Sequence, residues 1–184
     1  MAPPPGTVHF DDVSEAVMQF QVGDVLIRLD DEGLRIMASW TPTERGNLVR
    51  GDVGELWYEA ALGSTELLIG ETSMFGVREL PALGFSRDLC VLVAQAYTTG
   101  TSSRDLFESA ESLVVTRQGE TEIEVAYNDG LGNLEARASC EISDFGASIE
   151  AFRSGVGGIV RAELPWLTQI PEVREWLAMP VVLD

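Results

Sequence analysis

From Glu111 to Leu164 the spacing of apolar residues changes period, and each period selects an element. In Ile123-Glu124-Val125-Ala126-Tyr127 and in Leu134 to Ile142, apolar or small residues alternate with mostly polar ones, which is the pattern of half-buried strands. Asn128 to Asn133 joins the two runs, and its Asp129-Gly130 step tolerates the backbone angles of a tight reversal, so the pair is expected to form a hairpin. Its inward set is Ile123, Val125 and Tyr127 against Leu134, Ala136, Ala138, Cys140 and Ile142, which leaves Glu122, Glu124, Glu135, Arg137 and Glu141 on the other face. The period then lengthens. Phe145, Ile149, Phe152, Val156, Ile159 and Val160 recur at three- and four-residue steps, so the spacing predicts a helix over 144–164, capped by Ser143 or Asp144 and stopped by Pro165. Gly155, Gly157 and Gly158 each cost about 1 kcal/mol in a helix interior. The apolar stripe keeps its phase across them, and Ser154 to Gly158 lacks the Lys-Ser/Thr and the preceding strand of a phosphate-binding loop.

Upstream, residues 1–16 begin with Pro3-Pro4-Pro5 and read as a flexible arm, followed by a single domain over 17–184. Met18, Phe20 and Val22, then Val25, Ile27 and Leu29, alternate around Gly23-Asp24. Asp30 to Gly33 turns the chain into Leu34, Ile36, Ala38 and Trp40, which predicts an antiparallel hairpin, and Thr41 to Gly54 reads as a mobile loop. Strands are expected over Glu55–Leu62 and Thr65–Glu71, divided by Gly63-Ser64. A helix is expected over 86–98, capped by Ser86 and ended by Gly100, with a helical turn over Ser103–Glu108. Glu111–Arg117 reads as a strand and Pro171–Leu177 as a short helix opened by proline. No internal repeat is visible. The expected fold class is α+β, an antiparallel meander or sandwich-like sheet with two main helices packed on it.

Charge narrows the partners. Thirty acidic residues face twelve basic ones, a formal net charge of −18, so nucleic acid and anionic membrane would repel the chain while a basic protein would attract it. All twelve basic residues are arginine, which excludes lysine Schiff-base chemistry and a phosphate-binding lysine. Cys90 and Cys140 lie in apolar stretches and read as buried free thiols, with the alternative of a disulfide left open by spacing. Neither a leader peptide nor a membrane-length apolar run is present, so a cytoplasmic location is expected.

Catalytic chemistry has little to build on. The single histidine, His9, lies in the arm, no serine sits in a G-x-S-x-G elbow, and no Cys/His cluster has zinc spacing. The Asp30-Asp31-Glu32 cluster lacks the alternating ligands of a calcium loop. No cofactor, metal site or catalytic residue is therefore expected, and no enzyme activity, although a carboxylate- or metal-dependent hydrolase and a self-associating assembly protein are kept as alternatives. The oligomeric state is left open. The acidic faces carry the functional expectation instead: Glu120, Glu122 and Glu124 at alternate positions of one strand, facing Glu135 or Glu141 of its neighbour, would form the binding surface for a cationic partner.

The stretch Ser112-Leu113-Val114-Val115 to Tyr127, followed by Cys140-Glu141-Ile142-Ser143 and Arg161-Ala162-Glu163-Leu164, resembles small acidic immunity proteins of bacterial, actinobacterial, polymorphic toxin systems, with the likeness running from Val17 to Leu164. The resemblance implies a non-catalytic protein that binds a cognate basic toxin and blocks it stoichiometrically.

Overall fold

The computed structural model describes residues 17–30, 35–36, 56–59, 61–106 and 109–179. The arm, the loop over 41–54 and Trp40 lie outside them. Strands β1 (Val17–Val22) and β2 (Val25–Asp30) pair antiparallel about Gly23, whose φ of 53° is the left-handed conformation that the turn requires. Val25, Ile27 and Leu29 are fully buried, as their alternation demands. Strand β3 (Arg35–Ile36) does not fold back on β2. It extends the same row, for Leu29 pairs with Thr65 while Arg35 and Ile36 pair with Leu62 and Ala61 of β4 (Ala61–Ile69).

Strand β4 also departs from expectation. It passes through Gly63-Ser64 without a break, and Leu56–Glu59 ahead of it is a helical turn, α1. Leu56 and Trp57 are adjacent and both buried, which one face of a strand cannot accomplish and a helical turn can. On the other side of β4 lies an interrupted row, β5 (Thr72–Ser73) and β6 (Arg78–Pro81).

Helix α2 (Ala82–Thr99) follows β6 directly. It starts a turn before Ser86 because Ala82, Leu83 and Phe85 are buried and extend the apolar stripe, leaving Ser86 inside the helix. Gly100, at φ 84°, ends it and sends its amide to the Ala96 carbonyl. The residues next in line form strand β7 (Thr101–Asp105) in place of the expected helical turn: Ser102 faces inward opposite Val115, while Thr101 and Ser103 face out. Strands β8 (Ser112–Arg117), β9 (Glu122–Asn128) and β10 (Leu134–Glu141) complete a second antiparallel sheet in the order β10-β9-β8-β7. Helix α3 (Ile142–Glu163), a 3-10 turn (Pro165–Gln169) and α4 (Pro171–Ala178) follow. The fold is α+β.

The two sheets repeat one plan. In each, four antiparallel rows run in chain order and the last strand leads directly into a long helix. The register agrees as well: Leu62↔Pro81, Gly63↔Leu80, Ser64↔Glu79 and Thr65↔Arg78 recur sixty residues later as Glu122↔Glu141, Ile123↔Cys140, Glu124↔Ser139 and Val125↔Ala138. Buried Phe85, Leu89, Leu92 and Ala96 of α2 correspond to Phe145, Ile149, Phe152 and Val156 of α3. What the halves share is burial and register rather than residue identity, so the repeat leaves little trace in the sequence.

Each helix packs on the other half's sheet. Helix α2 lies on β7 and β8, α3 lies on β1 and β2, and the helices pack on each other. A line of edge-to-face rings threads the core from one sheet to the other: Phe20 to Phe152 (5.4 Å between centroids), Phe152 to Phe85 (6.0 Å), Phe85 to Phe75 (5.8 Å) and Phe75 to Tyr127 (6.2 Å). The Tyr127 hydroxyl then accepts a 2.8 Å hydrogen bond from Arg78, which also pairs with Glu111. Behind α3, buried Arg153 donates to the carbonyls of Trp176 and Leu177, both at 2.8 Å, and so neutralises the electronegative end of α4. Trp176 packs edge-on against Trp57 at 6.3 Å, and the Arg87 guanidinium lies 4.4 Å from the Trp57 ring centre.

Candidate functional site

Strands β9 and β10 carry the acidic positions. Ile123, Val125 and Tyr127 are buried, Cys140 and Ile142 are buried, and Ala136 and Ala138 are half-buried, which turns the intervening residues outward as their alternation requires. Leu134 departs from that inward set. A bulge between Leu134 and Ala136 lies at the hairpin end, beyond the core, and Leu134 is exposed.

On the outer face Glu122 and Glu141 stand directly opposite one another, both exposed. Glu124 is the next outward position along β9, about 7 Å away at strand spacing. Like charges so placed destabilise a sheet. Arg137, itself exposed, reaches Glu124 at 3.5 Å and relieves one member of the group, while Glu122 and Glu141 form no ion pair among the described residues. Glu120 is not on the strand. It lies in the turn before β9, where its backbone carbonyl accepts a 3.2 Å hydrogen bond from Arg117. Glu135 sits in the bulge at the far end of β10, about 20 Å from Glu141. The structure therefore brings together Glu122, Glu124 and Glu141, sets Glu120 at their margin, and separates Glu135.

The hairpin tip adds a feature that periodicity alone does not mark. The Asp129 carboxylate accepts hydrogen bonds from the amides of Leu131 (2.9 Å) and Asn133 (2.7 Å) and from the Asn133 side chain (2.9 Å), an arrangement that holds the Asp129 carboxyl below its usual range, the Asn133 side chain contributing most. Backbone bonds from Gly132 to Asp129 and from Asp129 to Asn133 close the loop, and Gly132 takes a φ of 82°. The tip so fixed presents Leu131 at 88% exposure, with Leu134 at 49% beside its base. The sequence signal was the Asp-x-x-x-Asn spacing around a leucine bracketed by glycines.

The first sheet offers a depression of about 310 Å³ on its outer face, lined by Val17, Arg28, Asp30, Ser64, Glu66 and Val77. Its charges are engaged internally: Arg28 pairs with Glu66 at 3.1 Å, and Ser73 donates to the same carboxylate at 2.8 Å. Among the described residues no group of three or more His, Cys, Asp or Glu side chains is placed to hold a metal ion, and no helix is long and apolar enough to cross a membrane. Trp57 is 5% exposed and belongs to the core. Cys90 and Cys140 are both buried and free.

No protein-family model, curated protein or solved structure matches the chain.

Proposed function

We propose that this protein is a non-catalytic binding module whose second sheet presents carboxylates to a basic protein, and that the partner is a toxin whose cationic groove ordinarily holds nucleic acid. The observation that carries this reading is the Glu122–Glu141 pair with Glu124 beside it. The repeated architecture supplies an internal control. At the equivalent positions the first sheet carries Leu62, Pro81 and Ser64, so the scaffold itself does not demand carboxylates there. A self-repelling pair on a sheet that folds equally well without it is an unfavourable feature of the free chain that a cationic partner converts into attraction. Net charge acts in the same direction by accelerating encounter with a basic surface.

The test is a complex of the full chain with the protein encoded by the neighbouring upstream gene, followed by size-exclusion chromatography and by surface-binding kinetics at several salt concentrations. Replacing Glu120, Glu122, Glu124, Glu135 and Glu141 together by Gln slows association and flattens its salt dependence, with Glu122 and Glu141 accounting for most of the change. Association kinetics identical to those of the parent chain would remove this face from consideration.

A further inference from the structure

The tip of the β9–β10 hairpin differs from its counterpart in the first half. There the connection between β4 and β5 is only Gly70-Glu71, and no large apolar residue is exposed at it. In the second half the connection runs from Asp129 to Asn133 and lifts Leu131 into solvent. Single exposed leucines are ordinary on protein surfaces, but this one is held by three hydrogen bonds to one carboxylate, has Leu134 next to it, and stands on the same hairpin as the acidic row. A side chain whose backbone is already ordered loses little conformational freedom on insertion into a partner.

We propose that Leu131, supported by Leu134, is the apolar anchor of the interface described above, entering an apolar socket on a basic protein whose cationic side chains face the Glu122–Glu141 pair about 20 Å further along the hairpin. The inference rests on that reading and names what the partner must offer: a hydrophobic pocket about 20 Å from a cluster of arginine or lysine side chains. Charge favours this occupant over a second copy of the chain, since two molecules of net charge −18 repel.

A random-peptide phage library selected on the immobilised full chain provides the probe. Enriched peptides combine arginine or lysine with a bulky apolar residue. Synthesised singly, they bind Leu131→Ser at least about tenfold more weakly than the parent, and bind Glu122→Gln/Glu141→Gln a few-fold more weakly with a reduced salt dependence. Circular dichroism and thermal melting of Leu131→Ser match the parent, because the residue packs against nothing in the core. Peptides that bind Leu131→Ser within about twofold of the parent, yet weaken on the glutamine variant, overturn the anchor and leave the acidic face standing. Peptides indifferent to the glutamine variant and to salt overturn both, as does enrichment of acidic or uncharged sequences. Concentration-dependent dimers abolished by Leu131→Ser would assign the tip to a second copy and likewise overturn the anchor.

Discussion

Gly155 of α3 lies against the ring of Phe20 from β1, and the Cε1 and Cζ atoms of that ring occupy the space where a Cβ would stand. The missing side chain lets the edge strand of the first sheet close onto a helix that belongs to the second half. Gly155→Ala is expected to destabilise the fold by about 1–3 kcal/mol through overpacking, and shrinking the ring in Phe20→Leu/Gly155→Ala recovers part of the loss. Gly158, three residues on, has open space around it, so Gly158→Ala stabilises the helix by about 0.5–1 kcal/mol. Urea denaturation of the four proteins separates steric from conformational effects.

Ser148 ties the halves together by hydrogen bonding. Its fully buried hydroxyl accepts the Val22 amide at 3.0 Å and donates to the Val25 carbonyl at 3.1 Å, spanning the β1–β2 turn. Ser148→Ala leaves both backbone groups without that partner and costs about 1–3 kcal/mol in chemical denaturation. Amide exchange at Val22 accelerates in the same variant.

Arg78 holds Glu111 below the usual carboxylate range, its hydrogen bonds to that carboxylate being the largest cause and burial opposing them. An acid whose folded pKa is depressed contributes stability that is fully present above its unfolded pKa and is lost as pH falls through the folded value. The stability difference between the parent and Glu111→Gln is therefore constant near neutrality and shrinks once pH drops below the ordinary glutamate range. A difference that stays constant through acid titration would show that Arg78 does not stabilise the charged form.

The thiols of Cys90 and Cys140 are both pushed up to about 12, chiefly by burial. Neighbouring carboxylates, Asp144, Asp24, Glu141 and Glu122, push Cys140 in the same direction. Neither supplies thiolate at neutral pH. An aromatic disulfide reagent is expected to leave the native protein unlabelled and to titrate both cysteines in guanidinium.

Glu122→Lys places opposite charges across the pair while keeping the Glu141 carboxylate at the N-terminus of α3, and is expected to stabilise the free protein by about 0.2–1 kcal/mol, less as salt is raised. The same change weakens binding to a basic partner. Thermal melts at low and high salt, together with the binding kinetics, detect the trade between stability and function.

The hairpin β9–β10, its inward set apart from Leu134, and both long helices could be read from period alone because burial on one face imposes a fixed repeat on the side chains. Legibility failed where adjacent residues were apolar on both sides. Leu56-Trp57 reads equally as strand or helical turn, and only the burial of both side chains decides it. Ser86 resembles a cap, yet Ala82, Leu83 and Phe85 ahead of it find core contacts that no local signal records. The acidic row was legible on β9 and β10, since Glu122, Glu124 and Glu141 follow from alternation. Glu120 and Glu135 were misplaced because the start of a strand and the site of a bulge depend on pairing with a partner strand rather than on composition.

The exchange of helices between the two sheets means that Gly100 joins parts whose helices bury most of their apolar faces on each other's sheets. Severed at that glycine, each fragment would carry a bare sheet and a helix shaped for its counterpart, and the fragments would reassemble into the uncut form instead of maturing separately. In that sense the molecule is a heterodimer whose subunits happen to share a peptide bond.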